Sequence, residues 1–316
     1  MTPLNLVEAY PNTSEVTAKW AFERYERIRH TLPTANFPKT STRVTGLTDL
    51  ANHFDVFLLD AFGVLNIGQT AIKTATAAVH ALQSAGKKVM VLTNGASLPA
   101  TESQVKFEQL GFNFALEHIV ASRDALSHGF TQPSTQPHDV GLWGVMARPD
   151  SQLHTLPIDS VTLGEDAALF DKVSGFILLG ASYWTEHQQH LLIQSLCQNP
   201  RPVWVGNPDL VAPNEHHFSL EPGYFAHQLS HITGVTLRFF GKPFSNIYEL
   251  ACARLENTPK SRILMVGDTL HTDILGGAAY GVKTALVTGH GLFANQDVTP
   301  YINKSGIVPD YIMVSP

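Results

Sequence analysis

Asp60, Thr93, Lys242 and Asp268 stand at or just beyond the ends of apolar runs in this 316-residue chain, and they are side chains that phosphoryl-transfer chemistry uses. Asp60 follows Val56-Phe57-Leu58-Leu59 and precedes Ala61-Phe62-Gly63. A carboxylate at the end of a buried strand, ahead of a glycine turn, is exposed at the sheet edge beside main-chain N–H groups, here those of Ala61 and Phe62. It can attack phosphorus while those N–H groups take the charge of the phosphoryl oxygens. An aspartate that only caps the turn is the plainer alternative.

Thr93-Asn94-Gly95 repeats the arrangement after the apolar run 89–92, offering a hydroxyl and N–H groups to a phosphate oxygen. The same tripeptide also makes ordinary strand-to-helix turns. Lys242, between Gly241 and Pro243, has a constrained backbone that suits an ammonium neutralising a carboxylate and a phosphate together. A surface turn lysine is the commoner fate. Asp268 ends the run 263–267, and Asp273 follows it in the same loop. Two carboxylates near a third on Asp60 repel unless a cation lies among them, and hard oxygen donors suit Mg2+. The alternative is that both cap the helix expected near Thr272.

Strands must present these residues. Runs at Val56–Leu59, 89–92, 263–266 and Lys283–Val287 are short, apolar and rich in β-branched residues, as strands buried on both faces are. They alternate with helical patterns such as 100–110, which predicts a parallel sheet covered on both sides. The roughly 150 residues between Thr93 and Lys242 exceed one crossover. After a Pro/Ser/Gln-rich break at 130–139 they hold a second alternating series: GLWGVM, GFILLG, a helix near 185–197, and PVWVGNPDL. The expected division is an N-terminal helical extension at 1–47, a core from 48–128 and 237–316, and an inserted α/β domain at 129–236. Insertions of this kind lie over the carboxyl ends of core strands, where open α/β sheets bind ligands. Within the extension, residues 14–31 read as an amphipathic helix with Ser14 as N-cap and Val16, Trp20, Tyr25 and Ile28 near one face.

Composition bounds the rest. A formal net charge of −6 gives no electrostatic reason to expect nucleic acid or an anionic membrane surface. Cys197 and Cys252 form no disulfide framework or metal array and read as core residues of a reducing compartment. The N-terminus lacks the features of a signal peptide, and no run approaches the roughly 20 apolar residues of a membrane span. A cytoplasmic location is expected. His216-His217, and His187 with His190, lack the constellation of a zinc site and read as polar surface.

Taken together, DAFGVL, LTN, GKP and GDTLHTDI, with Asn207-Pro208-Asp209 in the insertion, resemble the haloacid dehalogenase superfamily. More narrowly they resemble its subclass with a large α/β cap between the second and third motifs, which includes sugar-phosphate, phosphoglycolate, pyridoxal-phosphate and nitrophenyl-phosphate phosphatases. The resemblance covers residues 48–316. It implies a three-layer, doubly wound, Rossmann-like core with an α/β cap. Asp60 would be the nucleophile that becomes an aspartyl-phosphate, Thr93 and Asn94 would hold the phosphoryl group, and Lys242 would stabilise Asp60 and the transferring charge. Mg2+ would be bound by Asp60, Asp268 and the main-chain carbonyl of Phe62, with Asp273 supporting that shell. Asn207 and Asp209 would face the substrate from the cap or form an Asn-Pro turn.

Phe62 departs from the phosphatase pattern. That position normally holds a second aspartate that protonates the leaving group and then activates water, help worth roughly 10²–10⁴ in rate. An aromatic residue there resembles a little-characterised branch of the same subclass. The expectation is Mg2+-dependent hydrolysis of a small phosphorylated metabolite, slowed by Phe62 or assisted by a recruited residue. His271 is the obvious recruit by position, although it reads as a solvent-facing loop or N-terminal helix residue. A module that binds a phosphorylated ligand without turnover is the competing expectation. A dehalogenase ranks third, because metal ligands would be superfluous there. The sequence leaves the oligomeric state open, a homodimer included.

Overall fold

The computed structural model describes residues 10–132 and 141–316. Most of the break expected at 130–139, and the first nine residues, lie outside the described residues. Seven parallel strands form the main sheet in the spatial order Thr42–Arg43, Tyr311–Met313, Lys283–Val287, Ile263–Gly267, Val56–Leu59, Lys88–Thr93, Ile119–Ala121. Val56–Leu59 and Ile263–Gly267 are buried at every position, as strands covered on both faces must be. Strand alternation divides the core: Phe57 and Leu59 pack on one side with Val79, Leu82 and Phe107, while Leu58 packs on the other with Met90, Leu126 and Ile247.

From Val56–Leu59 the chain winds outward through Lys88–Thr93 to Ile119–Ala121. It later resumes beside its starting strand, at Ile263–Gly267, and winds outward the other way. The direction reverses between these two neighbours, where Val266 pairs with Leu59. Open α/β sheets bind ligands at such a reversal, beyond the carboxyl ends of the strands. Asp60 and Asp268 leave the sheet there.

The insertion forms its own parallel sheet, ordered Leu237–Phe239, Val203–Val205, Gly175–Leu178, Trp143–Met146, Ser160–Thr162. One face packs on the core helix Ser122–Thr131, where Phe130 stacks on Trp204 at 3.9 Å and meets Trp143 edge-on at 5.1 Å. Helices Glu186–Gln198 and Pro222–Thr233 pack with the other face. Leu237–Phe239 pairs with Val203–Val205, so the chain re-enters the core after Phe239 rather than at 237. The apolar run through Phe240 resembles a core strand in sequence, and only pairing settles its sheet.

The N-terminal extension is tied to both domains. Its helix spans Ala18–Arg27, with Thr17 rather than Ser14 as N-cap, the Thr17 hydroxyl accepting from Trp20 N at 3.2 Å; Ser14 lies in a separate short 3-10 turn. The buried face is Ala18, Ala21, Phe22 and Tyr25, with Trp20 and Ile28 at its margin. Residues 1–47 also supply an edge strand of the core, Thr42–Arg43. Tyr25 Oη accepts from Leu210 N of the cap at 3.0 Å, and its ring stacks on core His271 at 5.0 Å. Cys197, expected in the core, is exposed on its helix. No helix among the described residues is long and apolar enough to cross a membrane.

Tyr25→Phe leaves the Leu210 N–H without its acceptor in a buried setting. The expected loss is about 1–3 kcal/mol, read as a lower urea midpoint with an unchanged slope. An unchanged midpoint would show that the contact does not hold the extension in place.

Candidate active site

Lys242 lies at the centre, 1 % exposed, although its position in a Gly-Lys-Pro turn fits a surface lysine equally well. Its Nζ donates to Asp60 Oδ1 at 2.6 Å and to Asp273 Oδ1 at 2.7 Å. Asn94 fixes its main chain: Lys242 N donates to Asn94 Oδ1 at 2.7 Å, and Asn94 Nδ2 donates to Lys242 O at 2.9 Å. Burial alone would lower the lysine pKa, but Asp273 and Asp60 outweigh it and raise it, so the ammonium stays charged.

Asp60, Asp268 and Asp273 each bring a carboxylate oxygen within 4.8 Å of the others. Asp268 accepts from Leu292 N at 2.7 Å and from the Thr269 hydroxyl at 2.8 Å, and Asp273 accepts from Thr269 N at 3.0 Å. Both therefore brace the loop as capping residues do, while remaining grouped with Asp60. Two glycines make the room. Gly63 (φ +78°) and Gly291 (φ +69°) press against Asp268, and a Cβ on Gly63 would come within 2.5 Å of Asp268 Oδ2. Burial, then repulsion from Asp273, raises the Asp60 pKa to about 6 against the pull of Lys242. Burial and its acidic neighbours also push Asp268 well up. Three crowded carboxylates, all oxygen donors, fit a hard divalent cation, which would reverse the repulsion that raises Asp60 and Asp268.

Thr93 is buried at the end of its strand, and its Oγ1 accepts from Gly95 N at 3.1 Å, which leaves the hydroxyl hydrogen to donate. The Asn94 amide is fully engaged by protein: Nδ2 donates to Asp209 Oδ1 at 2.8 Å as well as to Lys242 O, and Oδ1 accepts from the Ser122 hydroxyl at 3.0 Å as well as from Lys242 N. Any role in phosphate binding falls to its main chain. Asn207 forms the Asn-Pro turn, its Oδ1 accepting from Asp209 N at 3.0 Å. Its Nδ2 donates to Glu221 Oε2 at 3.0 Å, and burial raises the Glu221 carboxyl to about 7. Asp209 reaches the core through Asn94, and burial pushes its carboxyl well up despite Lys242.

A cleft of about 540 Å³ joins Asp60, Ala61, Phe62, Thr93, Asp268 and the cap residues Asn207 and Asp209. Ala61 is buried, and Phe62 is half-buried with its ring under the Lys106 ammonium, 4.7 Å from Nζ to the ring centre. The Lys106 and Glu221 side chains are cleft residues that motif reading missed. Lys106 meets Gly68, 38 residues away in sequence, so no local pattern announces it. His271 is not solvent-facing: it is fully buried, its Nε2 2.6 Å from Glu26 Oε1 and its ring against Tyr25 and Phe22. The N-terminal helix covers it, and it is absent from the cleft wall. It is therefore not the recruited acid.

Two family profiles match the chain: a haloacid dehalogenase-like hydrolase profile over residues 57–144 and a second HAD-hydrolase-like profile over 239–313. These ranges carry the two halves of the core site. A 4-nitrophenylphosphatase of Schizosaccharomyces pombe is 23 % identical over 84 % of this chain and 93 % of its own. A glycerol-3-phosphate phosphatase of Gallus gallus is 28 % identical over 84 % and 90 %. Among solved structures, a possible sugar phosphatase of the HAD superfamily from Cytophaga hutchinsonii superposes with a TM-score of 0.74 at 25 % identity, covering 87 % of this chain and 98 % of that one.

Because the carboxylates bind a cation only when ionised, affinity for Mg2+ as the probe is expected to rise as pH passes through about 6, the value to which Asp60 is raised. Calorimetry in two buffers of different ionisation enthalpy would report the released protons, and Asp268→Asn would weaken binding severely. Affinity that stays flat as pH passes through about 6 would contradict the cation site.

Proposed function

This chain belongs to the haloacid dehalogenase-like hydrolases, in the branch with a large α/β cap, and from that premise we propose that it is a Mg2+-dependent phosphatase of a small phosphorylated metabolite. One observation carries the reading: Asp60 stands at the topological reversal of the sheet, ion-paired to the buried Lys242 and grouped with Asp268 and Asp273. A protein that only bound phosphate would have less need of a carboxylate held at a strand end beside a lysine. The curated relatives named as phosphatases support the class of reaction.

The mechanism follows from the side chains. Asp60 attacks phosphorus, the ester P–O bond breaks, and an aspartyl-phosphate forms. Lys242 neutralises charge on Asp60 and the phosphoryl oxygens, with the Thr93 hydroxyl and the main chain at Ala61 and Phe62 as further donors. Asp60, Asp268 and the Phe62 carbonyl, braced by Asp273, would hold Mg2+, which when bound would supply charge neutralisation for the phosphoryl group. Water then attacks phosphorus and returns Asp60 to its carboxylate. Phe62 can neither protonate the leaving oxygen nor take the proton of that water.

A second reading, a phospho-ligand binding module, has the same Phe62 in its favour. Leaving-group dependence separates the two. Wild type is expected to hydrolyse nitrophenyl phosphate, whose phenolate departs unprotonated, far faster than an alkyl phosphate. Phe62→Asp should raise alkyl phosphate turnover by up to roughly 10²–10⁴, less the cost of a carboxylate in an aromatic setting. Asp60→Asn should abolish hydrolysis of both esters while the fold persists. Hydrolysis of neither ester by wild type or Phe62→Asp, with phosphate still bound, would favour the binding module.

A further inference from the structure

Lys106 is unaccounted for by the mechanism above. It projects from helix Ala100–Gln109 into the cleft, half-buried, with Nζ over the Phe62 ring and 3.2 Å from Gly68 O, to which it donates. Among the described residues no carboxylate lies at ion-pair distance from it. Glu215 is the nearby acid that it feels, but Glu215 Oε1 accepts from Gln69 N at 2.8 Å. Withdrawal from water lowers the lysine pKa more than Glu215 restores it. An ammonium held this way, with one carbonyl and one ring face for company, is under-compensated.

Phe62 explains why that charge stays free. An aspartate at this position would face Lys106 and cancel it, whereas the ring supports the cation without neutralising it. Arg148 also lines the cleft, but its guanidinium is bound bidentately by Asp150 at 2.9 and 2.8 Å. Among the described cleft residues, Lys106 is thus a cation still able to meet a ligand beyond the phosphoryl site. After its bond to Gly68 it has two N–H donors and one charge, a match for a monoanionic carboxylate; a dianionic phosphate calls for more donors or an arginine fork.

We infer that Lys106, seated on Phe62, recognises a carboxylate on the leaving group, so that the substrate is the phosphomonoester of a small hydroxy acid. The inference rests on the phosphatase reading of the Asp60 site. In that arrangement the residue that removes the general acid also creates the specificity: the ring presents the ammonium, and the ammonium orients the alcohol being released.

The test compares kcat/KM for 2-phosphoglycolate and 2-hydroxyethyl phosphate, similar in length and differing in the carboxylate, with nitrophenyl phosphate as a leaving group without one. Wild type is expected to prefer 2-phosphoglycolate over 2-hydroxyethyl phosphate by roughly tenfold or more, the scale of one charge-assisted hydrogen bond. Lys106→Met should erase that preference, chiefly through KM, Lys106→Arg should keep part of it, and Phe62→Asp should weaken it by pairing with the lysine. Equal losses on all three esters in Lys106→Met would overturn the inference, since bracing Gly68 would then be the whole role; so would a wild type indifferent to the carboxylate. Failure of the phosphatase reading looks different: no ester, nitrophenyl phosphate included, is hydrolysed. Calorimetric binding of 2-phosphoglycolate and 2-hydroxyethyl phosphate in MgCl2 then decides, with tighter 2-phosphoglycolate binding lost in Lys106→Met expected, and no difference between the two compounds refuting the inference.

Discussion

A single buried ammonium holds the site together. Lys242 is 1 % exposed and donates to two carboxylates, Asp60 at 2.6 Å and Asp273 at 2.7 Å. Burying these charges costs desolvation that only close pairing offsets, so each partner depends on the other. Removal of the lysine would leave Asp60 and Asp273 without the ammonium that pairs them, beside Asp268 and Asp209. The lysine in turn depends on Asn94, whose amide grips its N–H and carbonyl and reaches Asp209 in the cap. One interaction thereby joins two core strand ends, the re-entry from the cap and the cap's own Asn-Pro turn. The seven-stranded sheet serves this arrangement by placing Asp60 and Asp268 at the ends of adjacent strands where its winding reverses.

Within that frame the two halves of a phosphatase site part company. On the proposed reading, the groups that would receive and neutralise a phosphoryl group are a strand-end carboxylate, a fixed ammonium, a hydroxyl, and a group of oxygen donors fit for a divalent cation. What handles protons is missing at position 62. His271 does not restore it, since the N-terminal helix encloses it. The ring of Phe62 instead supports the Lys106 ammonium, 4.7 Å from Nζ to the ring centre.

The four motif segments were legible because the chemistry of each is local: a strand end and the loop that follows it. The strands Val56–Leu59 and Lys283–Val287 coincide with their apolar runs, and the inserted sheet follows its alternating pattern. Errors arose where pairing or packing across the chain decides. Leu237–Phe239 reads as core but completes the cap sheet. Thr17 displaces Ser14 as the helix cap, because both residue types fit and only the chain's path selects one. His271 reads as exposed because nothing in GDTLHTDI signals a helix from 245 residues away covering it. The Asn94 side chain is engaged by partners 148 and 115 residues distant, which no local pattern signals and which leaves its main chain for the phosphate role read from the sequence. Lys106 was invisible for the same reason.

The central claim is that Asp60 carries the phosphoryl group during turnover. Because Phe62 cannot activate the hydrolytic water, breakdown of the aspartyl-phosphate should be slow and the intermediate should accumulate. Acid quench during the first turnover of nitrophenyl phosphate in MgCl2, followed by peptide mass spectrometry, reads this directly. The account predicts a hydroxylamine-labile phosphoryl group on the peptide containing Asp60, absent in Asp60→Asn and increased relative to Phe62→Asp. Turnover with an unmodified Asp60 peptide under those conditions, or a phosphoryl group on another residue, would contradict it.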